Sequence, residues 1–122
     1  MIKTNELRIG NLVMMTHENT VERVNIKVLQ YLVHAEAIGD EHPFAPIPLS
    51  PEILTKCGFE TADQGFEYGD GEQVYRMVTQ RGGYLFMILA GHQWCGAAFV
   101  KSLHHLQNIM FCLLGYDIKI DL

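Results

Sequence analysis

Apolar residues along this chain change period several times, and each change marks an element. Leu12, Val13 and Met14, entered through Gly10-Asn11 and followed by Thr16, read as a strand. Residues 17–20 form a turn. Val24, Ile26 and Val28 then recur at every second position, which predicts a second strand over 21–28, paired with the first as a hairpin. Residues 29–38 fit two descriptions, a prolonged strand or a short helix with Leu29, Leu32 and Val33 inward, and the first half reads better as strand. A connector stiffened by Pro43, Pro46 and Pro48 leads to the clearest local signal. Ser50 can N-cap a helix, Pro51 suits its first position, and Glu52 complements its positive end. Ile53, Leu54 and Cys57 form the apolar face, Gly58 a left-handed stop, and Phe59 folds back.

Residues 60–73, rich in glycine and acids, read as a loop. Val74, Arg76 and Val78 alternate with Tyr75, Met77 and Thr79 in a strand. The turn at 81–83 returns the chain as 84–90, a strand buried on both faces or nearly so. Residues 91–96 form another turn carrying a buried Trp94 and Cys95, and 97–100 a shorter third strand. A long C-terminal helix runs from Ser102 to Leu114 and ends at Gly115. Ile118, Ile120 and Leu122 alternate as in an edge strand. The pattern predicts one α+β domain over 1–122: an antiparallel curved sheet or SH3-like small barrel, with a short helix and a long C-terminal helix.

The C-terminal helix carries the most informative pattern. Leu103, Leu106, Ile109, Met110, Leu113 and Leu114 fill one side, while His104, Gln107, Asn108 and Phe111 share the other at i, i+3, i+4, i+7 spacing. Short uncharged polar groups suit a half-buried face better than an open one, which favours Glu, Lys or Arg. Three roles are open: Gln107 and Asn108 satisfy backbone amides with His104 packed beside them, the patch contacts a partner or ligand, or it serves a catalytic or metal site.

Composition narrows the function classes. With 122 residues, 48% hydrophobic and 19% charged, the chain can build one core. Three widely spaced cysteines, Cys57, Cys95 and Cys112, suggest buried thiols in a reducing compartment and no disulfide framework. The N-terminus is interrupted by Asn5, Glu6 and Arg8, unlike a signal peptide, and no apolar run is long enough for a membrane span, so a soluble cytoplasmic protein is expected. From Glu36 to Glu72 nine acids face one base, a net charge of −8, while the rest, with eight bases and five acids, carries +3. Such an acidic middle is a solvated face or a patch for a basic partner, and it argues against a nucleic-acid partner.

Catalytic signals are sparse. His92 and Cys95 could supply two metal ligands, with His104 or His105 and Cys112 completing a set, but no second clustered pair exists. Cys95 with His104 has the residue types of a nucleophile pair and no surrounding motif. The 69–71 and 81–83 glycine turns lack the features of a phosphate loop. No metal or cofactor is expected.

Three blocks, Glu6–Val13, Pro46–Phe59 and Leu103–Gly115, resemble a family of small proteins from gut bacteria and their phages. That pattern opens Leu-Arg-Ile-Gly-Asn (Leu7 to Asn11), has Pro-Ile-Pro-Leu (Pro46 to Leu49) before a helix ending Gly-Phe (Gly58, Phe59), and closes Val-His-Gln-Leu-Gln-Asn-Leu-Tyr. His104, Leu106, Gln107, Asn108 and Gly115 match it; His105 replaces Gln, Met110 Tyr and Leu114 Thr. The resemblance implies a phage or mobile-element setting and brings no activity. The expectation is a non-catalytic protein that binds a host or phage protein, with His104, Gln107, Asn108 and Phe111 as contact groups. The alternatives are a small nucleic-acid-binding module and a metal- or Cys-dependent hydrolase.

Overall fold

The computed structural model describes residues 2–70 and 73–122; Gly71 of the expected 69–71 turn and Glu72 of the acidic segment lie outside them. In chain order the elements are a 3-10 turn (Thr4–Glu6), β1 (Leu12–Met15), β2 (Thr20–Arg23), α1 (Ile26–Ile38), β3 (Phe44–Ala45), α2 (Pro51–Lys56), β4 (Glu60–Ala62), β5 (Gly65–Asp70), β6 (Gln73–Gln80), β7 (Gly83–Ala90), β8 (Gln93–Val100) and α3 (Leu103–Leu114). The chain gathers into two compact units, Met1–Pro48 with Ser102–Tyr116, and Leu49–Lys101 with Asp117–Leu122.

In the first unit β1 is the centre of an antiparallel sheet ordered β2-β1-β3. Ile2, Val13, Val24, Leu32 and Phe44 form its core, with Leu7, Met15, Val28 and Leu29 packed against them. The expected strand over 21–28 ends at Arg23, and all of 26–38 is helix. Asn25 explains the switch: its side chain caps α1 by accepting from the Val28 amide at 2.9 Å. From that cap onward Val28, Leu32 and Ala35 face inward at helical spacing, while Ile26 and Val33 are exposed. Thr4 ties the N-terminal turn to this helix, donating from its amide and hydroxyl to Glu36 Oε2. These bonds hold the Glu36 carboxyl below its ordinary value.

The second unit is a five-stranded antiparallel meander, β4 to β8 in sequence order. Tyr75, Met77, Tyr84, Phe86 and Val100 are buried on its inner face. The expected α2 is present with its ends as read: the Ser50 hydroxyl accepts from the Ile53 amide at 3.2 Å. At the other end Gly58 takes φ 94°, its amide donates to Thr55 O, and that of Phe59 to Leu54 O, closing a Schellman stop. Phe59 then packs on Tyr68 with ring centroids 5.3 Å apart.

Four sequence expectations fail in this unit. The loop expected over 60–73 forms β4 and β5, because cross-strand pairing, β4 with β5 and β5 with β6, rather than local apolar content specifies those strands. The turn expected over 91–96 narrows to Gly91–His92, so β8 begins at Gln93. Trp94 is only half-buried and Cys95 exposed. Residues 116–122 form no strand; Ile118 is buried and the Asp121 amide donates to Lys56 O at 3.0 Å. The overall class is α+β with antiparallel sheets. Both sheets are open rather than closed as an SH3-like barrel, and α3, at 12 residues, is of ordinary length.

Of the described glycines in the meander, Gly65 has the closest neighbour. It has φ 129°, and a Cβ there would lie 2.2 Å from Met77 O. Gly65→Ala is therefore expected to destabilise the protein by about 2 kcal/mol or more. An unchanged urea midpoint would remove this constraint.

Candidate functional site

The polar face of α3 clasps the segment that leads into β1. Gln107 is 3% exposed; its Oε1 accepts from the Leu12 amide at 2.7 Å, and its Nε2 donates to Gly10 O at 3.3 Å. The next residue of α3 provides the neighbouring contact. Asn108 Oδ1 accepts from Asn11 Nδ2 at 2.8 Å, while Asn108 Nδ2 donates to Glu6 O at 3.0 Å. Fully buried Asn11 completes the clasp, accepting from the Arg8 amide at 2.7 Å through its Oδ1. Gln107 and Asn108 are consecutive and point about 100° apart around the helix, and each carboxamide has both a donor and an acceptor to offer irregular backbone. The Leu12 amide lies in a buried hydrogen bond, where an unpaired donor would carry a desolvation penalty.

His104 lies one turn before Asn108 and is 3% exposed. Its Nε2 is 3.8 Å from Glu6 Oε1, while its Nδ1 is buried with no hydrogen-bond partner among the described residues. Burial pushes the imidazole below its ordinary value of 6.5, partly offset by Glu6, with His105 adding to the lowering. Near neutral pH this histidine is uncharged.

Phe111 is the most exposed of the four expected contact residues, at 37%. The Arg8 guanidinium lies over its ring at 4.2 Å and reaches Gln107 O with Nη2 at 3.5 Å. Beside Arg8, Ile9 is 55% exposed. The α3 faces are thus rotated from the expected division. Leu103, His104, Leu106, Gln107 and Met110 are buried, Ile109 and Leu114 are half-buried, and Leu113 is exposed.

Among the described residues no three His, Cys, Asp or Glu side chains group as a metal site. Cys95 belongs to β8 in the second unit and His104 to α3 in the first. Only Cys57 meets the expectation of buried thiols; burial pushes its thiol up to about 12, which suppresses the thiolate. Cys57 borders an open groove of about 780 Å³ that Lys56, Tyr68, Lys119 and Asp121 also line.

A different surface was missed in the sequence. The face of the meander opposite Tyr75 and Phe86 carries Val78, Leu85, Met87, Leu89, Trp94 and Phe99. At its centre Arg76 donates to Glu67 Oε2 through Nη2 at 2.7 Å and Nε at 3.1 Å, and its guanidinium lies 4.0 Å from the Trp94 ring centroid. The available signal was the alternation of Val74, Arg76 and Val78, whose outward side needed a covering layer or a partner. No family model, curated protein or solved structure matches the chain. No described helix is long and apolar enough to cross a membrane.

Gln107→Leu keeps the volume near that of glutamine but leaves the Leu12 amide unpaired. A loss of about 2 kcal/mol is expected by urea denaturation, with a substantially smaller loss for exposed His105→Ala. Equal losses would deny the clasp its energetic weight. For His104, the unfolded chain takes up a proton near pH 6.5 that the native state resists. Its stabilising contribution is therefore present above that value and lost as pH falls toward the lower folded value. The melting temperature of wild type is expected to drop more steeply than that of His104→Gln from about pH 7.5 to 5.5. Parallel profiles would refute this assignment.

Proposed function

We propose that the chain is a non-catalytic binding protein whose contact surface is Arg8, Ile9 and Phe111, displayed by the Gln107–Asn108 clasp. The observation that carries this reading is the fastening of Arg8–Leu12 by side-chain hydrogen bonds while Ile9, within that segment, is 55% exposed. A preorganised apolar group beside an arginine–aromatic pair resembles the anchors that dominate protein interfaces, because little ordering entropy remains to be lost on contact. His104, Gln107 and Asn108 serve this surface from beneath as positioning residues.

The proposed partner is a host or phage protein, in keeping with the phage or mobile-element setting implied by the resemblance. Two of the three resembling blocks meet in the clasp: Arg8, Gly10 and Asn11 belong to one, Gln107 and Asn108 to the other. The net charge of −5 and the engagement of Arg76 by Glu67 both weigh against a phosphate-rich partner.

Affinity capture from host lysate, read by mass spectrometry, tests this reading with wild type, Ile9→Ser and Phe111→Ser side by side. A protein retained by wild type is expected to bind either variant about 30-fold more weakly, while circular dichroism stays unchanged. Identical capture by all three folded proteins would exclude this surface.

A further inference from the structure

Edge strands expose unpaired amides and carbonyls, and proteins protect them with shortness, charge, proline or bulges. Three of the four edges here are short or charged: β2 carries Glu22 and Arg23, β3 has two residues, and β4 has three with Glu60. The fourth differs. Strand β8 spans eight residues, Gln93–Val100, with no charge and no proline, and Cys95, Gly96 and Ala97 are exposed in succession. Among the described residues, none of its backbone groups from Gln93 to Val100 has a backbone partner outside the β7 ladder.

Its bulge changes which side chains share a face. Phe86 pairs with Ala98 and Met87 with Gly96, leaving Ala97 as the extra residue. Trp94 and Phe99 are five positions apart and would lie on opposite faces of a regular strand. Here they pair with Leu89 and Leu85 and so emerge on the same face.

We infer that β8 pairs antiparallel with β8 of a second copy, joining two five-stranded sheets into one. In a two-fold antiparallel pair, opposed residue numbers have a constant sum and opposed side chains share a face. Setting Trp94 against Phe99 of the second copy meets both conditions. Gln93 then opposes Val100, Cys95 opposes Ala98, and symmetry supplies the aromatic pair twice. Charge also favours this occupant. Self-pairing duplicates every charge on a seam, and in a chain of net charge −5 this eight-residue edge has none to duplicate. The nearest charged side chain beyond it, Lys101, meets His92 of the second copy. Eight residues make a seam only about 27 Å long, so the dimer is weak and concentration-dependent.

Sedimentation velocity over a concentration series tests the inference with wild type, Ala97→Lys and Phe99→Lys, each checked for folding by circular dichroism. Wild type is expected to shift toward dimer, and both variants to remain monomeric. Register is read from Ala98→Cys/Cys112→Ser treated with diamide, which accepts the two electrons and two protons released by a Cys95 thiol and the new thiol of the second copy. A covalent dimer is expected, and adding Cys95→Ser abolishes it. Wild type that remains monomeric to about 1 mM overturns the inference and leaves β8 to a strand of another protein. A dimer that persists in both lysine variants overturns it equally, because it then uses another surface.

Discussion

The Gln107 carboxamide is the constraint on which the first unit depends. Its oxygen receives the Leu12 amide and its nitrogen reaches Gly10 O, so one side chain joins α3 to the start of the central strand across 95 residues of sequence. A hydrophobic side chain of similar size could fill the volume without satisfying the amide. Because a buried unpaired donor costs more than a typical hydrogen bond contributes, the clasp defines a register as well as a contact. Asn108, Asn11 and Arg8 extend it outward, and the exposed Ile9 and Phe111 mark where it reaches the surface.

Polar groups serve a different purpose in the second unit. Arg76 is held between Glu67 and the Trp94 ring on a sheet face that is otherwise apolar, so its charge is compensated within that face. The opposite face is closed by large side chains, among them Tyr75 and Phe86, stacked with centroids 5.8 Å apart. Among the described residues, the β8 backbone of the meander has no backbone partner beyond β7. In the first unit a side chain satisfies the backbone and an apolar residue is left exposed; in the second, side chains are compensated and an edge is left open.

Much of the local grammar was legible in the chain. Ser50, Pro51 and Gly58 set both ends of α2 because caps and stops act within a few residues, and Gly115 ended α3 for the same reason. The alternation across β6 was readable because it repeats over a whole strand. Legibility failed where identity depended on distant pairing. Glycine and acids make β5 look like a loop, yet its amides are paired with β6. Val24, Ile26 and Val28 imitate a strand although they straddle a strand end, a cap and the first turn of a helix.

The sequence by itself determined that His104, Gln107 and Asn108 share a patch, since helical spacing permits nothing else once the helix exists. Only the tertiary structure decided which way that patch faces. Local periodicity ranks residues by polarity and assigns the polar side to water, but a buried strand entry with unpaired amides can draw a carboxamide inward. That demand is created by Gly10 and Leu12, nearly a hundred residues away, and no window along the chain contains both the demand and its answer.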